Sequence, residues 1–145
     1  MKIRAQPPVW VAALAILLPV AAAQDPDAPV KRPFEQPPRI IEVTAADFQF
    51  TPSTIHIKAG KNIQLRVTAT DKTHGIRINP FPDGASKSTP PGLEFLYGED
   101  CWKLRKGETV MIELVGRTPG TYTFSCCKQC GPDHKRMKGQ LVVEP

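Results

Sequence analysis

Four residues near the C-terminal end carry side chains that can hold a soft metal: Cys126, Cys130, His134 and Met137. Their spacing is C-x3-C-x3-H-x2-M, with Gly131 and Pro132 bending the path between the second thiol and the imidazole. Two thiols, an imidazole and a thioether from one short segment combine soft sulfur with borderline nitrogen, a donor set suited to copper cycling between its two oxidation states. A loop alone rarely closes a site, and a ligand from a neighbouring strand is the usual completion. His74, in Thr73-His74-Gly75-Ile76-Arg77-Ile78, heads a strand-like stretch and is the candidate. The competing reading of the loop is a structural disulfide between Cys126 and Cys130 beside an incidental histidine and methionine. Four ligand residues at this spacing argue against it. The adjacent Cys126 and Cys127 do not bond each other, because a disulfide needs alpha carbons about 5.5 Å apart with suitable Cβ directions.

The elements that must position these residues read as short strands. Apolar residues alternate at Ile41 and Val43, at Phe48 and Phe50, at Ile55 and Ile57, and at Ile63, Leu65 and Val67, with turn signals such as Ala59-Gly60-Lys61 between them. A period of two over four to eight residues marks half-buried strands. Further strands are expected at Gly75 to Asn79, Thr109 to Val115, Thr121 to Ser125 and Gln140 to Val143, and no window supports a long amphipathic helix. The expectation is an all-β, Greek-key antiparallel sandwich whose ladders occupy the backbone and whose loops carry the chemistry. Proline-rich Pro80 to Trp102 reads as a long connection crossing the sandwich, with one short edge strand near Leu93 to Leu96.

With the loop, the upstream histidine and the closing strand Gly139-Gln140-Leu141-Val142-Val143 assembled, residues 40–145 resemble the cupredoxin family. Within it they look like the copper-A domain of cytochrome oxidase subunit II and nitrous oxide reductase. The resemblance implies two coppers sharing the thiolates of Cys126 and Cys130, one histidine on each copper (His74 and His134), a weak axial thioether from Met137 and a weak backbone carbonyl from Lys128. The family often has glutamate at that last position, but the backbone does the binding. The implied function is electron transfer to or from a redox protein such as a cytochrome or an oxidase complex, without catalysis by the chain itself. Subunit II normally begins with a transmembrane hairpin and carries an aromatic stretch before the copper domain; this chain has neither and resembles a stand-alone soluble form. It also has cysteine at 127 where serine is common. Cys127 and Cys101 could pair, stay free, or take part in copper transfer.

Residues 1–23 read as a secretory signal: Lys2 and Arg4, an apolar run from Val9 to Ala22, and Ala21-Ala22-Ala23 before the cut. That run falls short of the roughly 20 residues that span a bilayer, so no stable membrane span is expected after cleavage, and the location is periplasmic or otherwise extracytoplasmic. Residues 24–39 read as a flexible Pro-rich leader. Removing Lys2 and Arg4 takes the formal charge from +5 to +3, too mild for nucleic acid binding. Lys135, Arg136 and Lys138 flank the loop, either as a solvated rim or as a steering surface for an acidic redox partner. His56 reads as a solvated strand residue and Met111 as packing. Phe95, Tyr97 and Trp102 read as core or edge cover, with an electron entry surface as the alternative. The competing functions are a mononuclear blue-copper carrier and a copper chaperone or store. An enzyme is disfavoured because only three histidines exist and no base-nucleophile pair is evident.

Overall fold

The computed structural model describes residues 33–145, residue 87 aside. The expected signal at residues 1–23 and the first part of the expected leader, to residue 32, lie outside the described residues. A single 3-10 turn at Pro33–Glu35 leads to Gln36, whose carbonyl accepts a hydrogen bond from Asn62 Nδ2 at 3.0 Å. Ten strands follow: β1 (Arg39–Ala46), β2 (Gln49–Thr51), β3 (Thr54–Lys58), β4 (Asn62–Ala69), β5 (His74–Ile78), β6 (Leu93–Phe95), β7 (Trp102–Leu104), β8 (Thr109–Gly116), β9 (Gly120–Ser125) and β10 (Lys138–Glu144).

They form two five-stranded sheets, in the orders β2-β1-β4-β8-β6 and β3-β10-β9-β5-β7. The chain changes sheets repeatedly, and two pairs therefore run parallel, β1 with β4 and β3 with β10, while the other pairings are antiparallel. Parallel neighbours need such a crossover; here β3 lies in the facing sheet between β1 and β4.

The expected alternation sets the core. Ile55 and Ile57 on β3, Ile63, Leu65 and Val67 on β4, and Tyr122 and Phe124 on β9 are all buried between the sheets. Full burial of such side chains stabilises by about 1.5–3 kcal/mol each. The Phe50 and Phe124 rings meet edge to face across the layer, 5.3 Å between centroids. Buried Tyr122 keeps its hydroxyl satisfied by donating to Thr118 O at 2.6 Å. His56 is exposed and pairs with Glu144, Nδ1 to Oε1 at 3.0 Å. Met111 departs from expectation: it is exposed, because on β8 the inward positions are Ile112 and Leu114 and the residue before them points to solvent.

The long connection carries the expected edge strand as β6, at Leu93–Phe95, on one sheet, then crosses to the other as β7. No helix among the described residues is long and apolar enough to cross a membrane.

Candidate metal centre

Three strand ends converge on the site. β5 starts at His74, β9 ends at Ser125 and β10 starts at Lys138; Arg77 is paired with Ser125 and Ile78 with Phe124, so His74 lies beside the chain as it leaves β9. The leaving loop is clamped at its base, where Cys126 N donates to Met137 O at 2.9 Å in continuation of the Lys138 and Ser125 pairing. Inside the loop, His134 N donates to Gly131 O at 3.2 Å and Arg136 N to Asp133 O at 2.9 Å, forming a 3-10 turn at His134–Arg136. Gly131 sits at φ +142, and a Cβ there would come within 2.8 Å of the Phe48 ring, so glycine is required on both counts. Lys72 Nζ lies 4.1 Å from the centroid of that ring.

The Cys126 and Cys130 Sγ atoms are 3.6 Å apart and unbonded, which removes the structural-disulfide reading. The Cys126 thiol donates to Lys128 O at 3.1 Å, so that carbonyl faces the sulfur pair. Donor atoms of His74, Cys126 and Cys130 all lie within 4.8 Å of one another. His134 falls outside that group; its Nδ1 is buried without a hydrogen-bond partner. Met137 is fully buried at the end of the loop.

His74 is fully buried, and its Nε2 lies 2.6 Å from Asp71 Oδ1. Burial raises the Asp71 carboxyl, but the His74 hydrogen bond and those from the Asp47 and Lys72 amides outweigh it and hold the group down to about 2. An ionised Asp71 makes Nε2 the protonated nitrogen and leaves the lone pair on Nδ1, which is buried and has no partner. An orphaned imidazole nitrogen on His74 in one cluster with two free thiols, and a second on His134 in the loop that carries them, fit a bound soft metal; buried polar atoms otherwise find partners. Burial, then the neighbouring Cys126 sulfur, push the Cys130 thiol up to about 11, so a metal entering the site must displace its proton.

Sequence reasoning missed Asp71, whose pairing with buried His74 is seen only in the structure. Cys101 and Cys127 form a disulfide, with alpha carbons 5.9 Å apart. It lies over Gly75, where a Cβ would meet Cys127 Sγ at 2.8 Å and Cys101 Sγ at 3.2 Å. The Phe95 and Trp102 rings pack 5.6 Å apart and are half-buried, whereas Tyr97 projects into solvent, 78% exposed.

A sandwich of this topology with histidine, two thiols and a buried thioether gathered at one end defines a copper electron-transfer fold. Residues 10–143 match the family described as cupredoxin-like domain, and the chain belongs to that family. It is 26% identical over 104 residues to cytochrome c oxidase subunit 2 of Thermus thermophilus, an alignment covering 72% of this chain and 64% of that protein. The chain thus spans less than two thirds of that relative. Among solved structures, reduced auracyanin from Roseiflexus castenholzii superposes with a TM-score of 0.54 at 22% identity, covering 73% of this chain and 97% of that one. A subunit of a heme-copper terminal oxidase dimer superposes equally well, at 0.54 and 22% identity, over 73% of this chain and 65% of that one. At such identities the superpositions speak for the fold.

Proposed function

We propose that the chain is an exported electron carrier with a dinuclear copper centre of the copper-A type. In this reading the Cys126 and Cys130 thiolates would be the sulfur donors, His74 and His134 would supply the imidazoles, and the Met137 thioether and the Lys128 carbonyl would be weaker donors that help to hold the copper. The observation that carries it is the pair of free sulfurs 3.6 Å apart, with the His74 imidazole in the same cluster. Copper held there would supply a one-electron couple.

The protein's own part is to keep the donors still. His74 is fixed by Asp71, the loop ends by the Cys126 and Met137 backbone bond, and Met137 by the core, so little of the site has to move when charge changes. The disulfide supports export, since such bonds persist in oxidising compartments. It also speaks against a copper store, because it takes Cys101 and Cys127 out of the pool of thiols. The domain is assigned to residues 40–145, after a signal and a leader. The partner is a redox protein such as a cytochrome or an oxidase complex, which would carry any catalysis.

The test is metal content and spectrum of the copper-loaded chain. Two coppers per chain and a resonance whose hyperfine splitting is shared over two nuclei are expected. One copper and a single intense blue band would replace this reading with the mononuclear one.

A further inference from the structure

The loop holds a hazard that its ligand chemistry does not require. Cys127-Lys128-Gln129-Cys130 is a C-x-x-C segment, the chain bends at Lys128, and an exported chain meets oxidants. A Cys127–Cys130 bridge would consume one of the two free thiols. Nothing in chain statistics opposes it. Closing a loop between Cys101 and Cys127, 26 residues apart, is disfavoured on the order of tenfold in an unfolded chain relative to closing one over three or four residues.

The fold reverses that preference. Pairing of Gly75 with Lys103 and of Ile76 with Trp102 brings Cys101 to the edge of β5. Cys127 faces the opposite side of the chain from Cys126, as consecutive residues leaving a strand do. Gly75, lacking a side chain, provides the seat on which the two sulfurs meet.

We propose that Cys101 acts as a guard residue: by capturing Cys127 it prevents a Cys127–Cys130 bridge, so it determines which sulfurs the site presents. This rests on the copper reading for its purpose, though the thiol chemistry stands apart from it. Without Cys101, a small-molecule disulfide such as oxidised glutathione is attacked by the Cys127 or Cys130 thiolate. The second thiol then resolves the mixed disulfide. Two S–H bonds are lost, one protein S–S bond forms, and the oxidant leaves as two reduced glutathione molecules.

The experiment is thiol mapping by alkylation and mass spectrometry after equilibration in a glutathione buffer, followed by copper titration. Wild type should show two alkylatable thiols, Cys126 and Cys130. Cys101→Ser should show one, with Cys127 bridged to Cys130 and copper uptake reduced at least tenfold. Cys101→Ser/Cys127→Ser should recover both ligand thiols and copper uptake, a rescue that a purely structural disulfide would not give. Cys127→Ser alone should likewise leave Cys126 and Cys130 free. The proposal is overturned if Cys101→Ser keeps Cys126 and Cys130 alkylatable, if the double variant recovers nothing, or if every variant lacking the bridge unfolds. Wild type with two free thiols that takes up no copper would instead sink the copper reading and leave the thiol pattern to be judged on its own.

Discussion

At the scale of single residues, the candidate site depends on groups outside its donor set. Asp71 fixes which nitrogen of His74 carries the proton, so Asp71→Ala should let the ring turn and lose its tautomer preference. Partners of this kind are worth about 10–100-fold in metal affinity. A competition titration with a copper chelator should show a loss in that range, with the fold unchanged by circular dichroism; unchanged affinity would mean that Asp71 only fills space. Met137 separates packing from ligation. Met137→Leu keeps volume and should cost less than about 1.5 kcal/mol in stability, while removal of the thioether should shift the reduction potential and the visible spectrum. A variant with an unaltered potential would demote Met137 to a core residue. The candidate donors were legible in the sequence because their chemistry is carried by residue identity and spacing, and the structure brings His74, Cys126 and Cys130 within 4.8 Å of one another. Asp71 was not singled out, since one acid in a polar turn is indistinguishable from a solvated one until the buried histidine is seen against it. The Cys101 and Cys127 partnership was left open for a similar reason: it depends on β7, whose place beside β5 is a tertiary fact.

At the scale of elements, the ligand loop is an extended hairpin connection whose precision comes from its base. β9 and β10 pair through Lys138 and Ser125, then through Gly139 and Phe124, and the Cys126 and Met137 backbone bond follows directly. Gly139 is where this base is tightest: a Cβ would lie 2.3 Å from Phe124 Cζ and 2.5 Å from the Ser53 carbonyl oxygen. Backbone cannot yield as a side-chain tip can, so Gly139→Ala should destabilise by about 1–3 kcal/mol, the usual cost of overpacking. Its urea midpoint should fall, and copper release should speed up because the loop ends shift with the strand. A wild-type midpoint would show that β10 slides without cost. Strands with four or more alternating residues were legible, as β3, β4 and β9 demonstrate. β7, at three residues, is too short to show a period, and Met111 was misassigned because an apolar residue on a strand need not lie on its inner face.

At the scale of the whole molecule, the two sheets leave one end rich in basic side chains. Lys128, Lys135, Arg136 and Lys138 are exposed on or beside the ligand loop, and Arg136 is partly offset by Asp133 at 3.4 Å. This concentration follows from placing a basic loop at the end of a sandwich, and the sequence could supply its residues but not its alignment with the site. Like charges on one rim steer an acidic partner from a distance and are screened once the Debye length, about 10 Å at 0.1 M salt, falls below the approach distance. With an acidic redox partner, the bimolecular electron-transfer rate should therefore fall steeply as ionic strength rises. Lys135→Glu/Lys138→Glu should lower the rate at low salt by at least tenfold and converge on wild type at high salt, because only the long-range attraction has been removed. Stopped-flow traces over a salt series measure both. A rate independent of salt, or a variant as slow at high salt as at low, would show that the partner docks elsewhere or that the substitutions damage the centre itself, and the copper content of the variant tells these two apart.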